Sequence, residues 1–195
     1  MVEASSVTLS PAAVSARELR QYGAIHPEEA SEVEKFVEFA QSGPDVFERT
    51  RPDGHFTASC WLVSGDGQRV LLTHHRKLNR WLQLGGHADS DSNLARVALR
   101  EAQEESGLTE LKLEPAIFDI DAHVIPARGS EPAHMHWDVR FVLRCLGAEE
   151  FAVSPESLAL AWVAVDDLRH YAGVDPSLRR MAAKWWVRMN RRENA

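Results

Sequence analysis

No stretch of this chain approaches the roughly 18 consecutive apolar residues that a bilayer-spanning helix needs. Its first residues, Met1 to Ser10, lack the basic start and apolar run of an export signal. Cysteine is nearly absent: Cys60 and Cys145 are the only two in 195 residues. Each lies in an apolar, strand-like run, which argues against a disulfide framework or thiolate metal cage and reads as core filler in a reducing compartment. A cytoplasmic location is therefore expected. Positive charge is also short, with 22 Lys and Arg against 29 Asp and Glu and a net charge of −7. A general nucleic-acid binder needs a basic footprint, so neither nucleic acid nor membrane is expected as a partner. Anionic small molecules remain accessible where a cation mediates. The chain also lacks internal repeats and low-complexity runs.

What is present is enough apolar sequence, 44% of the chain, for one sizeable core. Residues 1–54 read as an extension. Val2 to Ala13 is small and polar, a poorly ordered start. Ala16 to Tyr22 and Pro27 to Gln41 have helical spacing, the second with Ala30, Val33, Phe36, Val37 and Ala40 on one side. This predicts an amphipathic α-hairpin that covers core, or serves as a lid or as the surface of a homodimer. Residues 55–195 read as the compact domain. Strands are predicted at Phe56 to Ser64, Arg69 to His75, Trp81 to Leu84, Leu111 to Leu113, Ala116 to Ile125, Ala133 to Leu146 and Leu158 to Val165, with helices over Asn93 to Ser106 and Pro176 to Arg192. The fold class is α/β. In the last helix Leu178, Met181, Ala182, Trp185 and Met189 have core spacing, and Arg179, Arg180, Lys184, Arg188, Arg191 and Arg192 fall on the rest of its surface, as in a packing helix.

The most informative stretch runs from the glycine pair Gly85-Gly86 to Leu108. With Ser92 as N-cap and Gly107 as the stop, Glu101, Glu104 and Glu105 fall at i, i+3 and i+4 on one helix face. Val97 and Leu108 lie near that face, so the carboxylates point toward the domain body. Two carboxylates about 5 to 6 Å apart repel by roughly 3 kcal/mol at an effective dielectric near 20, and a divalent cation removes that strain. All-oxygen ligation favours a hard ion, Mg²⁺ first and Mn²⁺ next, which normally shares phosphate oxygens with a substrate. Arg100 can reach Glu104 one turn on and hold a glutamate in a fixed rotamer. The basic loop His74 to Arg80, beside the glycine pair, is either a phosphate contact or a solvated hairpin tip.

A second constellation is a polar stripe. Alternation in the strand from Ala133 puts His134, His136, Asp138 and Arg140 on one face, and the strand from Ala116 opposes Phe118, Ile120, Ala122 and Val124 to Asp119, Asp121 and His123. A sheet between helix layers should be apolar on both faces, so the stripe suggests the wall of a ligand cavity. The alternative is an edge hairpin with one wet face. Histidines there could bind phosphate, a base or an additional metal. His87, beside the glycine pair, joins His123, His134, His136, Asp138 and Arg140 as a candidate substrate-binding residue.

Gly86 to Leu108 resembles the Nudix box, whose pattern is G-x5-E-x7-R-E-U-x-E-E-x-G-U. Weaker likeness extends from about residue 56 to 168, through Trp81-Leu82-Gln83-Leu84 and Leu158-Ala159-Leu160-Ala161-Trp162-Val163. The resemblance implies an α/β/α sandwich with a mixed sheet, here flanked by the helical extension and a C-terminal helix. It implies a catalytic domain that uses Mg²⁺ or Mn²⁺ to hydrolyse a nucleoside diphosphate linked to another moiety, a small-molecule diphosphate, by water attack on phosphorus. By position, Glu104 and Glu105 would be the principal metal ligands, Glu101 a further ligand or base, and the Gly86 carbonyl a contributor. Arg100 would orient the glutamates. Glu156, ahead of the late Trp strand, would be base or extra ligand, with Glu149 and Glu150 as substitutes. Two positions depart from the pattern: the first box glutamate is Ser92, which Asp89 or Asp91 would have to replace, and the bulky apolar position is Ala102. A nucleotide sensor that binds without cleaving, and an isoprenoid diphosphate isomerase, share the same box.

Overall fold

The computed structural model describes residues 16–129, 132–170 and 174–193; the expected disorder of residues 2–13 lies outside them. The chain runs α1 (Ala16–Ile25), a 3-10 turn (Pro27–Glu29), α2 (Ala30–Ala40), β1 (Gly54–Val63), β2 (Arg69–His75), β3 (Arg80–Leu82), β4 (Leu84–His87), α3 (Leu94–Ser106), β5 (Leu111–Ile125), β6 (His134–Cys145), β7 (Ser157–Ala164), α4 (Val165–His170) and α5 (Pro176–Glu193). The strands form one mixed sheet in the order β3-β2-β1-β6-β5, with β4 added to β1 and β7 to β2. None of the described helices is long and apolar enough to cross a membrane.

β1 is buried at every residue because it is central. It runs parallel to β6 over its full length, from Gly54↔Met135 to Val63↔Arg144. It meets β2 only at Val63↔Val70 and gives its middle to β4, through Thr57↔His87 to Cys60↔Leu84. The sheet therefore forks between Cys60 and Val63. Alternation along β1 divides the core. Phe56, Ala58, Cys60 and Leu62 pack with α1, α2 and α3, whereas Trp61 and Val63 pack with α4 and α5. This is the expected α/β/α sandwich. The α-hairpin supplies Leu19, Tyr22, Val33, Phe36, Val37 and Phe39 to the same buried cluster as α3, so it covers core. Both thiols are buried and unpaired with each other.

Two expectations need correction. The segments from Leu111 and Ala116 are one strand, β5, whose register against β6 shifts between Glu114 and Ile117 and again between Ile117 and Asp119. Phe118 is the extra residue at the second shift. A one-residue slip exchanges faces, so Phe118 joins Trp61 and Trp185 rather than the Ile120 side. The second correction concerns α5. Arg180, Lys184 and Arg188 are not simply a wet surface: they reach back over the sheet as long cationic side chains do when their apolar stems lie on a core, and Arg188 pairs with Glu114.

Their main target is the inner half of the polar stripe. Asp119 (0% exposed), Asp138 and Arg140 (2% each) are buried together. Arg140 donates to Asp138 at 2.7 Å and to Asp119 at 3.1 Å. Arg180 donates to Asp119 at 2.7 Å and to Asp121 at 2.8 Å. Lys184 binds Asp119 and Glu29 at 2.6 Å each and donates to Tyr22. Asp138 further accepts from Ser59 at 2.8 Å and Thr57 at 3.1 Å. Burial alone would raise the Asp119 and Asp121 carboxyls. Around Asp119 this is outweighed by Arg180, Arg140 and Lys184, and around Asp121 by His123, Arg140 and Arg180, so both are held below the ordinary carboxylate range.

Removing one member leaves the rest charged and buried. Asp119→Asn is expected to lower unfolding free energy by about 3 to 5 kcal/mol, the range for breaking a buried pair on one side, measured by urea denaturation. Carboxyls with lowered folded pKa stabilise the protein above the unfolded value of about 3.9. That contribution is lost as pH falls through their folded pKa values, so the wild-type urea midpoint should drop steeply below about pH 4, and this drop should be shallower in the variant.

Candidate active site

Helix α3 is set by local chemistry. Asn93, one residue later than expected, is its N-cap: the side-chain oxygen accepts from the Arg96 N–H at 3.1 Å. Asp91 accepts from the Asn93 N–H at 2.9 Å and holds the Arg96 guanidinium through two bonds of 2.8 Å. It is therefore a turn and cap residue. Gly107 closes the helix at φ 73°, a left-handed position that only glycine adopts without strain. Leu94, Val97, Ala98 and Ala102 are fully buried. The small Ala102 sits where helix and sheet approach closely, and Ser106 donates back to its carbonyl.

This packing presses the acidic face of α3 onto β4. Glu105 is 8% exposed, and the Gly85 N–H donates to its Oε2 at 3.3 Å. Burial pushes its carboxyl up to about 8; the Gly85 N–H opposes this, and the charges of Glu101 and Glu156 reinforce it. Glu101, with 15% of its side chain exposed, is also raised, first by burial and then, against the pull of Arg100, by Glu104, Asp89 and Glu156. Glu104 is exposed at the rim. Glu156 is exposed in the turn before β7, which is anchored by Arg76: its N–H donates to the Glu156 carbonyl at 3.0 Å and its Nε to the Pro155 carbonyl at 3.0 Å. Four carboxylates thus act on one another around the glycine pair.

Arg100 does not reach forward to Glu104. Helical side chains tilt toward the N-terminus, and its guanidinium contacts Glu101 at 2.9 Å and donates to the His87 carbonyl at 3.2 Å. It ties the helix to the residue after the glycine pair. Of the proposed substitutes for Ser92, Asp91 is held by Arg96, while Asp89 lies on the Glu101 side and pairs with Arg49 at 3.3 Å. Glu149 is bound to the Gly65 N–H at 3.0 Å and to Arg69 at 2.6 Å, away from the cluster.

The donor set fits a divalent cation. It is all oxygen, it holds more buried negative charge than Arg100 neutralises, and its most buried member has a single weak backbone donor. A Cβ on Gly86 would lie 2.4 Å from Glu101 Oε2, so the backbone at Gly86 and the Glu101 carboxylate lie against one another. Glu101, Glu104, Glu105 and the Gly86 carbonyl could hold such an ion.

The polar stripe divides into two parts. Asp138 and Arg140, expected to face a ligand, are enclosed in the ion-pair network. The imidazoles lie further along the same face: His134 Nε2 is 3.2 Å from His136 Nε2, and His123 pairs with Asp121 at 3.2 Å. His87 is opposite Thr57 and has its ring 5.1 Å from that of His136. Sequence reasoning missed His55, which is 1% exposed with its ring 4.9 Å from that of His136. The available signal was the alternation His55-Thr57-Ser59 against Phe56-Ala58-Cys60 in β1.

An acidic helix face thus lies against a glycine pair in a mixed sheet that is covered by helices on both sides. The NUDIX domain family model matches residues 53–185, and the chain belongs to that family, whose hydrolases act on pyrophosphate bonds, generally with a divalent metal. Solved structures agree on the fold. An Ap4A hydrolase from C. elegans superposes with a TM-score of 0.56 at 16% identity, over 69% of this chain and 97% of that one. The E. coli dihydroneopterin triphosphate pyrophosphohydrolase gives 0.56 at 17% identity, over 68% and 95%. No curated protein matches in sequence.

The two glycines should respond differently to alanine. At Gly85 the new Cβ would meet the Ala58 carbonyl and the Ser59 Cα at 2.6 Å each, backbone that cannot yield. Gly85→Ala is expected to cost about 1 to 3 kcal/mol, the scale of overpacking, read by thermal or urea unfolding. At Gly86 the obstacle is the end of a flexible side chain, so Gly86→Ala should unfold near the wild-type midpoint while weakening Mn²⁺ binding measured by electron paramagnetic resonance.

Proposed function

We propose that this chain hydrolyses the diphosphate linkage of a nucleoside diphosphate joined to another moiety, with Mg²⁺ or Mn²⁺ held by Glu101, Glu104, Glu105 and the Gly86 carbonyl. The observation that carries this reading is the buried Glu105, with one weak backbone donor, set among Glu101, Glu104 and Glu156. The divalent ion, when bound, neutralises phosphate oxygens and draws charge from the phosphorus under attack. The chain's own residues do the rest. Arg100 holds the Glu101 carboxylate in one rotamer while gripping the His87 carbonyl, so the helix and the strand bearing the glycine pair keep a fixed spacing. Glu156, on its Arg76-anchored turn, faces the same space and takes the proton of the attacking water. The water oxygen bonds to phosphorus as the bridging P–O bond breaks, and the leaving phosphate carries away the bond's electron pair. The half-buried imidazoles of His87 and His136, with His123 and His134, form the adjoining wall against which the rest of the substrate is placed. Residues 55–195 are the catalytic domain in this reading, and 1–54 an extension whose helices α1 and α2 complete its core.

Glu104 is exposed and makes no packing contribution, so Glu104→Gln should keep the wild-type unfolding curve while lowering kcat by roughly two orders of magnitude, the scale for loss of one charge-stabilising group. The measurement is phosphate-bond cleavage across NDP-sugars, ADP-ribose, dinucleoside polyphosphates, coenzyme A derivatives and nucleoside triphosphates, with Mg²⁺ or Mn²⁺. Tight binding without product would instead make the protein a nucleotide sensor. Conversion of an isoprenoid diphosphate to its isomer would make it an isomerase.

A further inference from the structure

Five of the nine histidines in the chain meet on one face of the sheet, and three of them are arranged as ligands. We propose that His55, His87 and His136 bind one transition-metal ion of the zinc class through imidazole nitrogen, at a site separate from the carboxylate centre. One nitrogen from each ring lies within 4.8 Å of the other two. Ligand atoms around a tetrahedral zinc with Zn–N near 2.1 Å are about 3.4 Å apart, so the rings need to close by about 1 Å or less per ring, which side-chain rotation supplies.

The backbone pre-positions all three. His55 and His136 are direct partners in the β1/β6 ladder, and His87 on β4 is opposite Thr57, two residues along the same face of β1. Side chains alternate along β4, so Gly86 turns toward Glu101 and α3 while His87 turns toward the imidazoles. Two different donor sets therefore flank one short strand. The carboxylate set is all oxygen and suits a hard ion; the imidazole set suits Zn²⁺, Co²⁺, Ni²⁺ or Cu²⁺.

The surroundings resemble those of metal-bound histidines. His134 stacks 5.0 Å from His55 and connects the Pro132 carbonyl, 3.0 Å from its Nδ1, to His136 Nε2. A carbonyl only accepts, so His134 carries its proton on Nδ1, and the chain of bonds fixes the ring planes and tautomers behind the site. Burial, followed by the charge of Arg49 and the neighbouring His55, lowers His87 to about 4. Burial and the surrounding histidines lower His136 as well. Imidazole ligates in its neutral form. Three nitrogens leave a coordination position open, and His87 and His136 are half-exposed, so water or an anionic oxygen can fill it.

One group competes for the site. Arg49 Nη2 donates to His87 Nδ1 at 2.5 Å. Whichever nitrogen of His87 takes the ion, Arg49 must release Nδ1, because ligation through Nε2 places the ring proton on Nδ1. Asp89, 3.3 Å from Arg49 Nε, is ready to receive the guanidinium.

The test is metal retention, which does not depend on hydrolysis and so fails or succeeds separately from the proposed activity. Chelator-stripped full-length protein is loaded with Zn²⁺ or Co²⁺ in excess Mg²⁺, desalted, and read by elemental analysis and by the visible absorption of Co²⁺. One equivalent is expected in the wild type and in Glu104→Gln. At least a tenfold loss of affinity is expected in His87→Ala and His136→Ala, and a severalfold gain in Arg49→Ala. Where a histidine variant does not fold, the wild-type histidine proton NMR spectrum decides: Zn²⁺ should shift three or more imidazole signals. The proposal is overturned if the wild type retains no zinc, if the histidine variants retain it undiminished, if Glu104→Gln loses it, if Arg49→Ala binds more weakly, or if zinc leaves the imidazole signals unmoved.

Discussion

The pairing of β4 with the middle of β1 is the constraint on which the candidate site rests. Because Gly85 and Gly86 have no side chains, β4 can approach Ala58 and Ser59 on one side and the glutamates of α3 on the other. The same four residues end in His87, whose carbonyl is gripped by Arg100 and whose ring turns to the opposite side. A single strand too short to be stable alone thus sets the position of two groups of polar side chains, and it holds because β1 is anchored along its whole length to β6.

The second organising element is the charge network across the other face. Three cations, Arg140, Arg180 and Lys184, meet Asp138, Asp119, Asp121 and Glu29 with hydrogen bonds on nearly every oxygen. A buried network of this kind adds little net stability over apolar packing. It does impose a unique arrangement, since any slip of β5 against β6 would leave charges unpaired, and β5 carries register shifts that would otherwise make slippage easy. The network also separates the apolar half of that face from the imidazole half, so the histidines have a rigid polar floor.

Much of this was legible in the sequence because its signals are local. The helix period of α3, the glycine that ends it and the triad Glu101, Glu104, Glu105 depend on spacings within a few residues. So do the alternations that made β1 and β6 strands. What was not legible depends on partners distant in sequence. Leu111 to Leu113 and Ala116 to Ile125 read as two segments, whereas pairing with β6 joins them across an irregular stretch between Glu114 and Ile117. Arg180 and Lys184 look like the wet side of an amphipathic helix until Asp119 is known to lie beneath them. Asp138 and Arg140 carry the same alternation as His134 and His136, and only partners on β1 and β5, remote in sequence, enclose the first pair in ion pairs and hydrogen bonds. His55 shares the polar alternation of Thr57 and Ser59 in β1, but only the pairing of β1 with β6 and β4, distant in sequence, makes it a neighbour of His87 and His136.

Lys184 joins Tyr22, Glu29 and Asp119, and the separation between it and Tyr22 is 162 residues. At translation rates of about 5 to 20 residues per second, α1 therefore waits roughly 10 to 30 seconds for the lysine that ties it to β5. During synthesis Asp119 and Asp121 have Arg140 as their only network cation until α5 is made, and the sheet lacks one of its two helical covers. Helix α5 thus completes the charge balance of β5, a strand made much earlier. The native contacts of α1 and β5 are therefore complete only when a helix far along the chain is present.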